Sequence, residues 1–232
     1  INLINLKAHG FLLAFVFALM GFVQSVFALL SLFLFHDDVS QSFAPSGLSL
    51  MLLALLLGIT CHRFDRQGIT HRDAFLFAVL TWFSLGLMGS LPVIAVTGIS
   101  FTDAVFESIS AITTTGATVL SGLDGMPKTF LMYRQFLQWL GGLGVVIFVV
   151  AVLPMLNVGG MVLLKAETPG PMKDEKLAPR ITKTAHYLWV VYLSITALCA
   201  LAYYVAGMDA FDAIAHSLTT VSTGGFSTHD AS

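Results

Sequence analysis

Five long runs of this chain contain no Asp, Glu, Lys or Arg: residues 8–36, 39–62, 74–102, 135–164 and 184–208. Each is mostly apolar and long enough to cross a hydrocarbon core, which takes about 20 helical residues. The pattern predicts five spanning helices. The first run exceeds the ~7–15-residue apolar stretch of a cleaved signal peptide and lacks a small-x-small exit. It also heads a chain that keeps crossing, so it reads as a span.

Two polar interruptions do not look like ordinary connections. Residues 101–112, "FTDAVFESISAI", predict a short helix with Asp103 as its start signal and an apolar face of Ala104, Val105, Ile109 and Ile112. At ~1.5 Å per residue it is about 16 Å long, half a bilayer. "TTTGAT" (113–118) follows with little helical character. A helix C-terminus carries partial negative charge. Beyond it, threonine hydroxyls and backbone carbonyls can replace a cation's water shell, and Gly116 permits angles a side chain forbids. Non-helical backbone at membrane depth survives only where it lines protein or water.

The unit recurs. Sliding 103–118 onto 212–227 aligns Asp103 with Asp212, Ala104 with Ala213, Ser108 with Ser217, Thr114 with Thr223 and Gly116 with Gly225. Val105/Ile214, Ile109/Leu218, Ser110/Thr219, Ile112/Val221, Thr113/Ser222 and Thr118/Ser227 are close in chemistry. Both copies follow a long apolar run. Such internal similarity marks a repeated structural unit and argues against two unrelated surface loops.

Composition agrees with a membrane setting. Hydrophobic residues make up 56% and charged residues 10% of the 232, with mean hydropathy +0.87, whereas soluble domains carry about a quarter charged residues. The net charge of −2 and the lack of a basic stripe exclude a nucleic-acid partner. Cys61 and Cys199 have no metal-type spacing and read as small packed hydrophobes. Lys7, the 63–72 segment and the 165–183 segment hold nine of the 11 basic residues. The positive-inside rule then puts the N-terminus and both basic loops in the cytoplasm, and 36–47, 98–130 and 208–232 outside. Pro169, Gly170, Pro171 and Pro179 in "ETPGPMKDEKLAPR" (167–180) predict a non-helical cytosolic loop, or a docking surface for a soluble partner.

With these features in view, the chain resembles the Trk/Ktr/HKT superfamily of potassium transporters, and within it the TrkH/TrkG branch. The matching stretches are "FTDAVFESISAITTTGATVLSGLD" (101–124), "YRQFLQWLGGLGVVIFVVAVLP" (133–154), "GGMVLLKAETPGPMKDEKLAPRI" (159–181) and "GMDAFDAIAHSLTTVSTGGFSTHDAS" (207–232). The resemblance implies an all-α integral membrane protein of pseudo-repeats, each an outer helix, a re-entrant half-helix, a filter loop and an inner helix. It divides the chain into an extra N-terminal hairpin (1–70), a first pore repeat (71–164), a cytoplasmic loop (165–182) and an incomplete second repeat (183–232). The implied filter residues are Thr113, Thr114, Thr115 and Gly116 in the first repeat, and Ser222, Thr223, Gly224 and Gly225 in the second. Thr114, Thr115, Thr223 and Gly224 are the implied potassium contacts. The family implies no cofactor beyond the transported K⁺, a bacterial inner-membrane location, a homodimer, and a cytosolic nucleotide-binding TrkA-type partner. The family pattern has four repeats, so we expect this sequence to be the N-terminal part of a longer protein.

Several residues keep two readings. Glu107 and His216 align in the two short helices and either shape the cation's electrostatic surroundings or simply bond local backbone. Asp124 and Asp230 attract cations at the outer mouth or are solvated loop carboxylates. "WLGGLG" (139–144) lacks the third glycine of a dinucleotide fingerprint and reads as close helix packing, or as flexibility behind the filter. Lys128 and Arg134 read as interfacial anchors. Trp82, Trp139 and Trp189 fit either an aromatic belt or helix packing. An intramembrane protease would need a nucleophile setting that the serines lack, and HExxH is absent, so an enzyme is not expected. A secondary transporter of another cation, Na⁺- or H⁺-coupled, is the nearer rival.

Overall fold

The computed structural model describes residues 6–62, 71–152 and 177–231. Among these residues there is helix and loop but no strand. In chain order, α1 is Leu6–Leu30, continued by a π-helical stretch Ser31–Phe35; α2 is Ser40–Cys61; α3 is His71–Thr97; and α4 is Phe101–Ile112. A 3-10 turn, Leu123–Gly125, precedes α5 (Lys128–Val152), α6 (Leu177–Val205) and α7 (Ala210–Val221). Stretches Leu6–Phe35, Ser40–Cys61, Phe75–Thr97 and His186–Val205 are long and apolar enough to span a membrane. They fall on four of the five uncharged runs.

The fifth run differs at its start. Helix α5 begins at Lys128, about two turns before the first uncharged residue, so Arg134 lies inside the helix rather than at its mouth. Residues 153–164, and 165–176 of the predicted loop, lie outside the described residues. The end of that loop is helical, because α6 starts at Leu177. Pro179 falls in the first turn of α6, where a missing N–H leaves no helical bond broken.

Glycines and buried polar groups set how the helices meet. Helices α1 and α2 cross at Gly21 and Gly47: a Cβ on Gly21 would stand 2.8 Å from the Gly47 carbonyl, and one on Gly47 3.0 Å from the Gly21 carbonyl. Only small residues permit that approach. Helix α3 contains Pro92, which has no N–H for the carbonyl of Met88 four residues back. Gln24 of α1 donates to that carbonyl instead, at 2.9 Å. The Tyr133 hydroxyl of α5 donates to the next carbonyl, Gly89, at 3.1 Å. The carbonyl that Pro92 leaves without a helical donor is thus satisfied from α1, and its neighbour accepts from α5. Phe27, Phe43, Tyr133 and Phe136 pack ring against ring around this point.

The connection after α1 also reaches α5. Asp37 accepts from the Thr129 backbone N–H at 2.8 Å and from its hydroxyl at 3.0 Å. A carboxylate there meets the unsatisfied N–H groups and positive end of α5. Trp139 donates to Thr196 at 3.0 Å, and its ring meets Trp189 and Tyr192 of α6. Trp139 and Trp189 are therefore helix-packing residues.

Candidate functional site

The two short helices are built alike. Ser100 caps α4 by accepting from the Asp103 N–H at 3.1 Å and donating to the Asp103 carboxylate at 2.8 Å. Asp209 caps α7 by accepting from the Asp212 N–H at 3.1 Å. The start signals are thus Ser100 and Asp209, three residues earlier than the expected Asp103. In α4 Ser100 and Asp103 bond reciprocally, and the acidic member of that pair is the one that stands out in the sequence. The corrected caps obey the same offset as the rest of the repeat, as do Gly98 and Gly207, both at positive φ.

The C-terminal ends match bond for bond. In α4, Thr114 N–H donates to Ala111 at 3.0 Å and Thr115 N–H to Ser110 at 2.9 Å. In α7, Thr223 N–H donates to Thr220 at 3.0 Å and Gly224 N–H to Thr219 at 2.9 Å. This is the Schellman ending, which places the residue after the cap in the left-handed region. Here that residue is a threonine twice, Thr114 at φ 56° and Thr223 at φ 58°. Glycine is usual there, and a β-branched residue is strained. Gly116 and Gly225 follow at φ 80° and 77°.

Both endings converge on adjacent glycines of α5. A Cβ on Gly141 would overlap the Ile112 carbonyl, and one on Gly142 would stand 2.8 Å from the Ser222 Cβ. A Cβ on Gly144 would come no nearer than 3.9 Å to Trp82. Gly141 and Gly142 of "WLGGLG" therefore serve close packing, and Gly144 does not. The two loops then touch: a Cβ on Gly116 would overlap the Gly224 carbonyl, and one on Gly224 would overlap the Gln138 amide. Gln138 accepts from the Phe226 N–H at 3.2 Å.

The expected site residues fall into two groups. Thr113 and Thr115 are exposed, with hydroxyls 2.8 Å apart, and Thr113 also donates to the Ile109 carbonyl. Thr114 and Gly116 are partly open, and Thr223 and Gly225 are exposed. Ser222 is buried, its hydroxyl committed to the Leu218 and Thr219 carbonyls, and Gly224 is buried against Gln138. The structure brings the two loops together at Gly116 and Gly224.

Arg134 corrects the sequence reading. It is 1% exposed, not an interfacial anchor. Its Nε donates to Glu107 at 2.9 Å, and its Nη2 donates to Glu107 and to Thr118. Glu107, also 1% exposed, accepts from the Thr118 hydroxyl and the Val119 N–H. A signal was present in the sequence: Arg134, Gln135, Gln138, Gly141 and Gly142 recur at the spacing of one helical face. Lys128 lies 5.2 Å over the Phe211 ring.

The Asp124 and Asp230 carboxylates are engaged rather than simply solvated. His229 meets Asp124 through Nδ1 and Asp212 through Nε2 at 2.9 Å. Asp230 accepts from the Gly122 and Leu123 N–H groups, each at 3.0 Å. The two acidic partners, Asp212 first, push the His229 imidazole up to about 9. The His229 hydrogen bond holds the Asp124 carboxyl below its ordinary value.

An all-helical membrane protein with two matched short-helix-and-loop units, gathered on one helix, is the class this architecture defines. The family model for TrkH, a cation transport protein, matches residues 39–232, and the chain belongs to that family. It is 53% identical over 202 residues to the Trk system potassium uptake protein TrkH of Halomonas elongata, covering 86% of this chain and 42% of that protein. It is 45% identical over 163 residues to TrkG of Escherichia coli, covering 69% and 34%. The crystal structure of the potassium transporter TrkH from Vibrio parahaemolyticus superposes with a TM-score of 0.84 at 43% identity, over 98% of this chain and 45% of that one. The chain spans less than half the length of these relatives.

Proposed function

We propose that this chain contributes to potassium uptake across a bacterial inner membrane, and that its two Thr/Gly loops are two of the four walls of a selectivity filter. The observation that carries the reading is the convergence of two identically terminated short helices. Their C-terminal ends meet side by side at Gly141 and Gly142, which gathers two partial negative charges in one place. Beyond them, Thr113–Gly116 and Ser222–Gly225 supply carbonyls and hydroxyls, oxygen ligands suited to a dehydrated alkali cation. The left-handed Thr114 and Thr223 turn each chain sharply out of its helix, and held strain of this kind clusters at functional sites. The relatives named as potassium uptake proteins supply the cation's identity.

On this reading Thr114, Thr115, Thr223 and Gly224 are the main contacts of K⁺ as transported substrate. The basic segments put the N-terminus in the cytoplasm. The working protein is a homodimer gated by a cytosolic nucleotide-binding TrkA-type subunit, as the family resemblance implies. Flux of K⁺, Rb⁺ and Na⁺ through the full-length protein in liposomes tests the reading. K⁺ and Rb⁺ should pass well ahead of Na⁺; equal passage of all three overturns it.

A further inference from the structure

One charged pair lies at the place where the two loops are held, and it contacts both. Glu107 belongs to α4, Arg134 to α5, and neither reaches solvent. The Glu107 carboxylate gathers Arg134, the Thr118 hydroxyl at 2.9 and 3.0 Å, and the Val119 N–H at 3.0 Å. These last two residues carry the first loop away from Gly116. The other face of the guanidinium covers the Phe226 ring, 4.3 Å from its centroid. Phe226 follows Gly225 directly and is 3% exposed. A single side chain therefore bonds the outgoing limb of one loop and stacks on that of the other.

The arrangement has a partial counterpart in the second unit. His216 occupies the register of Glu107, and its Nε2 lies 3.3 Å from the hydroxyl of Ser227, which occupies the register of Thr118. A brace from short helix to outgoing loop is thus common to both units. In the first unit the brace is an ion pair with Arg134, and through the Arg134 guanidinium it reaches Phe226 of the second unit. Burying two charges adds little stability over well-packed apolar side chains. What a guanidinium–carboxylate pair supplies is geometry: a planar fork with fixed hydrogen-bond directions.

We propose that Arg134, locked by Glu107, is a positioning residue that sets the spacing of the two loops and thereby the discrimination between K⁺ and Na⁺. It touches no ion; it acts through Thr118 and Phe226. The inference rests on the filter reading above. Discrimination between these cations is a small difference of large coordination energies, so a loop displaced by a fraction of an ångström shifts the ratio before it stops transport.

The test measures K⁺ and Na⁺ uptake by the full-length protein in liposomes, for wild type, Arg134→Lys and Phe226→Leu. Arg134→Lys keeps the charge and loses the fork, and should lower the K⁺/Na⁺ ratio about tenfold while K⁺ uptake persists. Phe226→Leu leaves the ion pair intact and removes the stacked face; it should lower the ratio about threefold. A purely structural role would change protein yield and thermal stability and leave the ratio alone. Wild-type ratios in both variants overturn the inference. If Arg134→Lys does not fold, an unchanged ratio in Phe226→Leu overturns it alone. A wild type without K⁺ preference overturns the filter reading itself, whatever the variants do.

Discussion

At the scale of single residues, the site depends on where side chains are missing as much as on those present. Gly141 and Gly144 lie on the same helix and look equivalent in sequence. A Cβ at 141 would overlap the backbone carbonyl that ends α4, while one at 144 finds room. Gly141→Ala should therefore destabilise the protein by about 1–3 kcal/mol, as overpacking does. Gly144→Ala should be neutral or stabilising by up to about 1 kcal/mol through helix propensity. Thermal unfolding of the two variants in detergent checks the contrast, and equal shifts would contradict the packing at Ile112. His229 offers a second residue-scale expectation. Its imidazole rises from an ordinary value near 6.5 to about 9, so its hold on Asp124 and Asp212 is complete below about 6.5. That hold is lost as pH rises through about 9. The Asp124 carboxyl is lowered, so its share is lost only as pH falls through that depressed value. Amide exchange at 227–230, corrected for intrinsic base catalysis, should accelerate between about pH 6.5 and 9. His229→Gln should remove that pH dependence.

At the scale of elements, helix α5 organises the region, and its role was only half legible. The spans, the short helices and their repeat could be read from charge-free runs and from Asp, Ser, Thr and Gly at a constant offset, because burial in a membrane and helix ending are local demands. The cap of α4 lies at Ser100 rather than the expected Asp103 because the two bond reciprocally, and either member fits a start signal. Arg134 looks like an interfacial anchor in the sequence because the uncharged run begins just after it, whereas the helix begins at Lys128. Its partner Glu107 is 27 residues away, and no local pattern joins them. The same limit hid the link between Gln24 and the carbonyl freed by Pro92. Gln24→Leu keeps similar volume and should leave the Met88 carbonyl unpaired. We expect a loss of about 1–3 kcal/mol, the desolvation penalty of a buried polar group. Coupling to Pro92→Ala checks the cause: restoring the N–H at 92 should recover most of that loss, and additive losses would exclude the mechanism.

At the scale of the whole molecule, the arrangement across the membrane that the charge pattern predicts is testable without transport. Arg63 and Arg66 follow α2 in the sequence and Arg72 is the second residue of α3, and the positive-inside rule predicts a cytoplasmic place for this end. Asp124, Asp230 and His229 cluster at the opposite end of the short helices, beyond the loops. If the N-terminus is cytoplasmic, this cluster faces outward and a cation meets carboxylates before it meets the loops. The chain has two cysteines, Cys61 and Cys199, so Cys61→Ala/Cys199→Ala in the full-length protein, with any remaining cysteines also replaced, gives a clean background. Ser121→Cys lies at an exposed position beside the acidic cluster, and His62→Cys at the exposed end of α2. A membrane-impermeant maleimide should label Ser121→Cys in intact cells, and His62→Cys only after permeabilisation. The reverse pattern would turn the molecule over. The carboxylates would then face the cytoplasm, and the helix C-termini could no longer receive a cation entering from outside.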